Sequence, residues 1–253
     1  MLEVKDLSKN FGGLRAVDSL TFGIKMGEIV SIIGPNGSGK STVFNLITGF
    51  HKPNSGRVLA ASENIVGLKP YAIARKGIAR TFQHTTIYER NTVQGNLIIG
   101  HRLRTKSGII GAVVRNSRTR REEKECLKRA DEIADIIGLY DKRLMQAGTI
   151  SQEEQKRLAI GLALATNPRL LLLDEPMGGV TDKELGPLIE LIHKINESGV
   201  TICLIEHKMS VVMSISKKVI VLNYGRKIAE GVPADISRNP DVIEAYLGEG
   251  YHA

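Results

Sequence analysis

Apolar runs and helical periods alternate along this chain and predict a layered fold. Four short runs are almost wholly apolar, at residues 28–33, 169–173, 200–205 and 218–222. Such runs are typical of strands that are buried on both faces of a parallel sheet. Segments with helical periodicity at residues 182–197 and 207–214 separate the last three. Strands joined through helices by short links form βαβ units, so the sequence predicts an α/β fold with a mostly parallel sheet.

Two other regions depart from this alternation. Shorter strand-like segments lie nearer the N-terminus, at residues 2–7, 20–24 and 57–60. Residues 84–157 contain no convincing strand, and helical periods occur at residues 92–103 and 119–137. Ser151 opens a further apolar-periodic helix that extends to about Thr166. We therefore interpret residues 84–157 as a helical insertion.

The stretch Gly34-Pro35-Asn36-Gly37-Ser38-Gly39-Lys40-Ser41 has the spacing G-x-x-x-x-G-K-[ST] of a phosphate-binding loop. A strand is predicted before it and a helix after it, at residues 42–48, which argues against a ligand-free glycine-rich turn. The three glycines let backbone N–H groups turn toward phosphate oxygens, and the positive end of the helix faces the same anion. The sequence thus predicts a nucleotide contact set, comprising Gly34, Asn36, Gly37, Ser38, Gly39, Lys40, Ser41 and Thr42.

Within this set, two side chains have specific expected roles. Lys40 would reach the β- and γ-phosphates, and the Ser41 hydroxyl would bind Mg²⁺.

Asp174 and Glu175 follow a predicted buried strand, at the sheet edge where ligands bind in open α/β folds. Asp174 would hold Mg²⁺ through its water shell, and Glu175 would orient and deprotonate the attacking water.

For two further side chains, a local structural role is an alternative to a role in nucleotide binding. His207 follows the strand predicted at residues 200–205, where it would contact the γ-phosphate or serve as a solvated helix cap. Phe11 precedes the turn at Gly12-Gly13, where it would stack on a purine or belong to the local core. No Asn-Lys-x-Asp guanine-reading motif is present in the sequence, which disfavours a Ras-like GTPase.

Composition and charge indicate the cellular compartment and the kind of surface that this protein has. Two cysteines in 253 residues are too few for a disulfide framework, so a reducing compartment is expected. The N-terminus is unlike a signal peptide, and no apolar run approaches the roughly 18–20 residues that span a bilayer. We therefore expect a soluble or peripheral protein. Residues 101–129 hold ten Lys and Arg against three Glu, which accounts for +7 of the net charge of +8.

That basic segment is either a solvated helix face or a surface beside anionic lipid headgroups. Nucleic acid is not an expected partner, because no aromatic side chains interleave the charges. The positive charge is local and does not describe the whole surface.

The motifs together resemble the ATP-binding subunits of ABC transporters. Residues 34–41 resemble the Walker A loop and residues 170–174 the Walker B strand, with Glu175 as the adjacent catalytic base. The resemblance extends over residues 2–248. It implies a RecA-like P-loop core, an antiparallel β lobe and a helical subdomain, all within one ABC ATPase domain.

The same resemblance assigns further residues and the boundaries of the parts. Gln83, in Ala79-Arg80-Thr81-Phe82-Gln83, resembles the Q-loop glutamine, which implies catalytic and Mg²⁺ contacts. His207 resembles the switch histidine and Phe11 the adenine-stacking aromatic. The implied nucleotide-binding core with its β lobe comprises residues 1–83 and 158–235. The implied helical subdomain comprises residues 84–157, and a C-terminal helical tail comprises residues 236–253.

The closer resemblance is to the ATPases of branched-chain amino-acid importers. It rests on residues 44–49, residues 77–83 and the C-terminal stretches at 228–231 and 239–248. It implies ATP and Mg²⁺ as cofactors, with transmembrane permease subunits, a second, non-identical ATPase and, indirectly, a solute-binding protein as partners. The implied location is the cytoplasmic side of the inner membrane. Urea-uptake or lipopolysaccharide-export ATPases, non-transport ABC ATPases and a nucleotide-gated interaction module stay open as alternatives.

One motif departs from that family. The signature Leu-Ser-Gly-Gly-Gln corresponds here to Ile150-Ser151-Gln152-Glu153-Glu154, in which both glycines are replaced. A carboxylate at Glu153, about 4 Å from a phosphate charge, would repel it by roughly 4 kcal/mol at an effective dielectric constant near 20. The same stretch fits a capping box, with Ser151 and Glu154 as its members. We expect a complete phosphate-loop side and an impaired signature side. Pairing with a different subunit that has an intact signature would then give one competent and one weak site, whereas pairing with itself would give two weak sites.

Overall fold

The computed structural model describes residues 1–81, 87–102 and 117–247. The chain consists of two compact units. The first comprises residues 1–80, 169–178 and 195–253, and the second comprises residues 81–168 and 179–194. Within the described parts of both units, no helix is both long and apolar enough to cross a membrane.

The first unit contains a six-stranded sheet that is parallel except at one edge. Its order is β10 (Arg226–Gly231), β9 (Lys218–Asn223), β3 (Ile29–Ile33), β8 (Thr201–Ile205), β7 (Leu170–Asp174) and β6 (Ile78–Arg80). Only β10 pairs antiparallel, through its hairpin with β9. Every residue of β3, β7 and β8 is buried, which explains their continuous apolar runs. The predicted α/β class with a mostly parallel sheet is confirmed.

A four-stranded antiparallel sheet completes the strands of this unit. Its order is β2 (Leu14–Ile24), β1 (Leu2–Phe11), β4 (Ser55–Ala60) and β5 (Glu63–Asn64). Strands β1 and β2 are longer than the apolar segments at residues 2–7 and 20–24 that predicted them. The hairpin end of β1 and β2 pairs Asn10 with Arg15 and carries exposed side chains, so it lacks an apolar signal.

The helices of the first unit are short. They are α1 (Lys40–Ile47), α2 (Pro70–Arg75), α7 (Met209–Ile215), α8 (Pro233–Ile236) and α9 (Pro240–Leu247). Apolar side chains of both sheets and of α1 form one core cluster, in which Phe44 is fully buried. This packing fixes α1, and the loop before it, against the sheet.

The second unit is helical in its described residues. Its helices are α3 (Val93–Arg102), α4 (Ser117–Ile136), α5 (Gln152–Ala165) and the first part of α6 (Asp182–Glu197). A side chain at Gly161 in α5 would meet Ile137 at 2.8 Å and Leu97 at 3.1 Å, so the glycine permits close packing. This packing groups α5 with the helices, whereas the sequence-based boundary divided it after residue 157.

Candidate functional site

The loop between β3 and α1 has a backbone that requires glycine. Gly34, Gly37 and Gly39 have φ values of +149°, +77° and +101°. A Cβ atom at Gly34 would lie 2.0 Å from the carbonyl oxygen of Leu222, and one at Gly39 would lie 2.4 Å from that of Ala16. The spacing of the motif therefore corresponds to close backbone approaches at both of these glycines.

The start of α1 suits an anion. Gly39 at the N-cap has no side chain to accept hydrogen bonds, and the first turn contains no acidic residue. The buried hydroxyl of Ser38 has no hydrogen-bond partner within the described residues. Helix N-terminal N–H groups without an internal acceptor favour a phosphate. These features fit the phosphates of a nucleotide.

Lys40 supplies a cation to the same loop. Its Nζ donates hydrogen bonds to the carbonyl oxygens of Gly34 at 2.7 Å and Pro35 at 2.8 Å. The buried ammonium group thereby holds both carbonyls of the loop entrance. Asn36 and Ser41 have exposed side chains, so a ligand has access to them.

Strand register brings the separate motifs to one edge of the sheet. Ile205 pairs with Ile32 of β3 on one side and with Asp174 of β7 on the other. The phosphate loop begins two residues after Ile32. Glu175 directly follows Asp174, and His207 lies two residues after Ile205. The edge predicted from the carboxyl ends of parallel strands is therefore formed as expected.

Asp174 ends β7 and contacts a residue to which no sequence motif assigns a role. Its Oδ2 lies 2.6 Å from Nη2 of Arg80, and both side chains are buried. Burial raises the pKa of Asp174, and the Arg80 guanidinium opposes that rise. A charged residue at the end of the apolar strand Ile78–Arg80 was the available sequence signal for this ion pair.

Glu175 has an unusual backbone for a residue with a side chain. Its φ is +48°, and its N–H donates to the carbonyl oxygen of Ile205 at 3.0 Å. A left-handed conformation at a non-glycine residue costs of order 1–3 kcal/mol and is enriched at functional sites. The half-buried Glu175 thus turns sharply out of the course of β7.

A fully buried carboxylate connects the ends of β7 and β8. Glu206 Oε2 accepts a hydrogen bond from the N–H of Met177 at 3.3 Å, and its Oε1 accepts one from the N–H of His207 at 3.1 Å. His207 Nδ1 lies 3.5 Å from the same Oε1, while 56% of its side chain is exposed. Glu206 therefore fixes the backbone that presents His207.

The remaining predicted contacts have different outcomes. The Phe11 ring is 42% exposed and packs edge-on against His51, with centroids 5.2 Å apart. Lys9 Nζ lies 5.0 Å from the centroid of that ring. The ring is too exposed to belong to the local core, and its stacking on a purine stays a prediction. Gln83 and part of the basic segment, at residues 103–116, lie outside the described residues, as do the last residues of the tail, 248–253.

The degenerate signature forms a complete capping box at the start of α5. Ser151 Oγ accepts from the N–H of Glu154 at 3.2 Å, and Glu154 Oε2 accepts from the N–H of Ser151 at 3.0 Å. Lys142 Nζ lies 2.6 Å from Glu154 Oε1. Burial alone would raise the pKa of Glu154, but its bonds with Lys142 and the Ser151 N–H outweigh burial and lower it. The predicted capping box is confirmed.

Glu153 is buried beside a cation of its own helix. Arg157 Nε lies 2.7 Å from Glu153 Oε1, and Arg157 Nη2 donates to Oε2 at 2.9 Å. Arg157 also donates to the carbonyl oxygen of Ile137 at 3.0 Å. The repulsion of roughly 4 kcal/mol applies to a carboxylate without such a partner, so it overstates the effect of Glu153. The capping box still satisfies the N–H groups of Ser151 and Glu154, and this helix start offers a phosphate no glycine backbone.

Comparison with known proteins gives consistent matches over the chain. Residues 17–178 match the family model described as ABC transporter. Residues 226–252 match a second model, described as branched-chain amino acid ATP-binding cassette transporter.

Whole proteins and solved structures agree with the family models. The chain is 42% identical over 250 residues to the high-affinity branched-chain amino acid transport ATP-binding protein LivG of Escherichia coli, with 98% of each chain covered. It is 41% identical to BraF of Pseudomonas aeruginosa, which has the same described role, again over 98% of each. A crystal structure of an ATP-binding cassette of an ABC transporter in its ADP conformation superposes with a TM-score of 0.86 at 31% identity, covering 98% of each chain.

Proposed function

The chain belongs to the ABC transporter family of ATP-binding subunits, and from this membership we propose that it powers the import of branched-chain amino acids by hydrolysing ATP. The observation that carries the proposal is the 42% identity to LivG over 98% of both chains. The family inferred from the motifs is thereby confirmed. The intact phosphate loop and the carboxylates at its sheet edge support the ATPase activity.

The phosphate loop would hold the nucleotide through its backbone and one ammonium group. Donors around the phosphates would come from Gly34, Asn36, Gly37, Ser38, Gly39, Lys40, Ser41 and Thr42. Lys40 Nζ lies within this loop, on the carbonyl oxygens of Gly34 and Pro35, and it would supply the positive charge for an incoming phosphate. Phe11 would stack on the adenine through its exposed part.

The residues expected to hold Mg²⁺ are Ser41, Gln83 and, through water, Asp174. Oxygen ligands of this kind suit Mg²⁺, which when bound neutralises phosphate charge. Glu175 would take the proton from the attacking water, and His207 would contact the γ-phosphate. The buried Glu206 holds the main chain at His207, so the backbone that carries the imidazole has a fixed position.

The assembly we propose is asymmetric. Permease subunits in the membrane would bind this chain on the cytoplasmic side of the inner membrane, and a solute-binding protein would act indirectly through them. A second, non-identical ATPase would bring an intact signature to the nucleotide on this chain. The self-capped start of α5 supports this arrangement, because it would contribute little to the nucleotide of the partner.

The test compares ATP hydrolysis by the isolated chain with hydrolysis by the complex of permeases and both ATPases. We expect slow turnover alone and fast turnover in the complex. Fast hydrolysis by the isolated chain would contradict the asymmetric assembly. Lack of hydrolysis in the full complex would favour the nucleotide-gated interaction module.

The transported solute is tested separately in proteoliposomes. We expect ATP-dependent uptake of labelled leucine, isoleucine or valine by the complex with its binding protein. Uptake of urea, or none of these solutes, would assign the ATPase to a related transporter while leaving its chemistry intact.

A further inference from the structure

Arg80 is a buried cation that the proposed chemistry does not yet use. It ends β6, and its guanidinium group contacts two other elements of the first unit. Nη2 lies 2.6 Å from Asp174 Oδ2, and Nη1 donates to Asn45 Oδ1 at 2.7 Å. Its Cζ atom lies 5.5 Å from the ring centroid of Phe44. One side chain therefore connects the end of β7 with the helix that follows the phosphate loop.

Stability alone is a poor explanation for this contact. Burying an ion pair costs desolvation that its attraction often fails to offset, and apolar replacements are frequently neutral. A guanidinium fork does fix direction, since its nitrogens are held in one plane. At Arg80 one nitrogen of the fork holds a carboxylate and the other holds an amide oxygen on α1, so the two partners have a defined spacing.

We propose that Arg80 is a positioning residue that sets Asp174 relative to α1 before nucleotide and Mg²⁺ arrive. This inference rests on the proposed function, because Asp174 matters as a Mg²⁺ contact only in a nucleotide site. Asn45 lies four residues beyond Ser41 on α1, so the spacing that Arg80 fixes is that between the two expected Mg²⁺ contacts on β7 and α1.

The proposal predicts a selective loss in binding. The affinity for a fluorescent ATP analogue is measured with Mg²⁺ and with EDTA, in wild type and in Arg80→Gln. The ratio of the two affinities should fall roughly ten- to a hundredfold in R80Q, the range for one hydrogen bond to a charged group. Affinity in EDTA should stay near wild type, because the loop glycines and Lys40 are unchanged.

Two variants calibrate that result. Arg75→Gln changes an exposed arginine at the end of α2, so both affinities should be unchanged. Arg80→Lys keeps the charge but loses the fork, so its ratio should lie between wild type and R80Q. An R80Q ratio equal to wild type would overturn the proposal, as would equal losses with Mg²⁺ and EDTA. Absence of nucleotide binding by the wild type would instead overturn the proposed function.

A nucleotide-free measurement keeps the inference testable if R80Q is unstable. Denaturant midpoints are compared for R80Q, Asp174→Asn and the double variant. Coupling between the two sites should make the double variant more stable than the sum of the single losses implies. Asn45→Ala should reduce the Mg²⁺ ratio in the same direction and by less. Additive losses in the cycle, or no effect of N45A, would contradict the positioning role.

Discussion

Two helix N-termini in this chain carry motifs that predict a phosphate contact, and they are built in opposite ways. The first, at α1, has glycine at its cap, no acid in its first turn and Lys40 folded over the loop before it. The second, at α5, has a closed capping box and two acidic residues, Glu153 and Glu154, each with a cationic partner.

The difference shows that a side-chain cap and a bound phosphate are alternative acceptors for N–H groups at a helix start. The cap stabilises the free chain, since one capping interaction contributes about 1 kcal/mol. A helix start without a cap leaves donors that a phosphate can complete. We infer that this subunit holds nucleotide at its own loop and contributes weakly to the nucleotide of its partner.

Glu175→Gln should have the largest effect, and it separates binding from hydrolysis on the α1 side of the comparison. Without its base, turnover by the full complex should fall by ~10²–10⁴-fold, while ATP affinity stays close to wild type. Stopped-flow binding and steady-state phosphate release measure the two quantities. Glu190→Gln, an exposed change of the same kind on α6, is the matched control. A loss of less than tenfold in E175Q would remove Glu175 from the role of base.

Restoring the two glycines tests the α5 side. Gln152→Gly with Glu153→Gly should raise ATP hydrolysis by the isolated chain about tenfold or more, because backbone donors then approach the phosphate of the second copy. The same change should lower stability, since each helical glycine costs about 0.5–1 kcal/mol and Arg157 loses its ion pair with Glu153.

The control for that variant is Lys156→Gly, which weakens the same helix without restoring the motif. It should lower stability and leave hydrolysis at the level of the wild type. If the glycine-restored chain were no faster than K156G, the degenerate signature would not be what limits the isolated chain. The asymmetry between the two helix starts would then have no catalytic consequence.

The sequence predicted the elements and motifs whose signals are local. Strands β7 and β8 were found because burial on both faces leaves an unbroken apolar run. The phosphate loop was found because its glycine spacing reflects its own backbone. The hairpin end of β1 and β2 was missed because exposed strands carry no such run, and pairing in the sheet supplies their stability instead.

The two ion pairs show where prediction from sequence ends. Glu153 and Arg157 are separated by one helical turn, so a check of i, i+4 pairs would have revealed the neutralised charge. Arg80 and Asp174 are 94 residues apart and meet only because β6 and β7 are neighbours in the sheet. No local period connects them, so this contact required the fold.

Ser151→Ala should have a moderate effect confined to the α5 side. Removing the capping hydroxyl should lower the free energy of unfolding by about 1 kcal/mol, while nucleotide affinity at the phosphate loop stays unchanged. Chemical denaturation and binding of a fluorescent ATP analogue give the two values. Gln152→Ala, which changes the adjacent exposed residue and keeps the capping pair, should be nearly neutral. Equal losses for both variants would show that the capping box contributes little.

Acid should reduce the stabilisation by Glu154, which is the smallest expected effect. Because its pKa is lowered in the folded state, the stabilisation is complete above the unfolded pKa, about 4.3, and is lost as the pH falls through the folded value. The stability difference between wild type and Glu154→Gln should therefore be largest at about pH 6–7 and shrink toward about pH 3. Lys142→Met removes one cause of the lowered pKa, so in this background the difference should begin to shrink at higher pH. Urea unfolding across this range measures it, and a difference that stays constant into acid would mean that the Glu154 charge does not stabilise the start of α5.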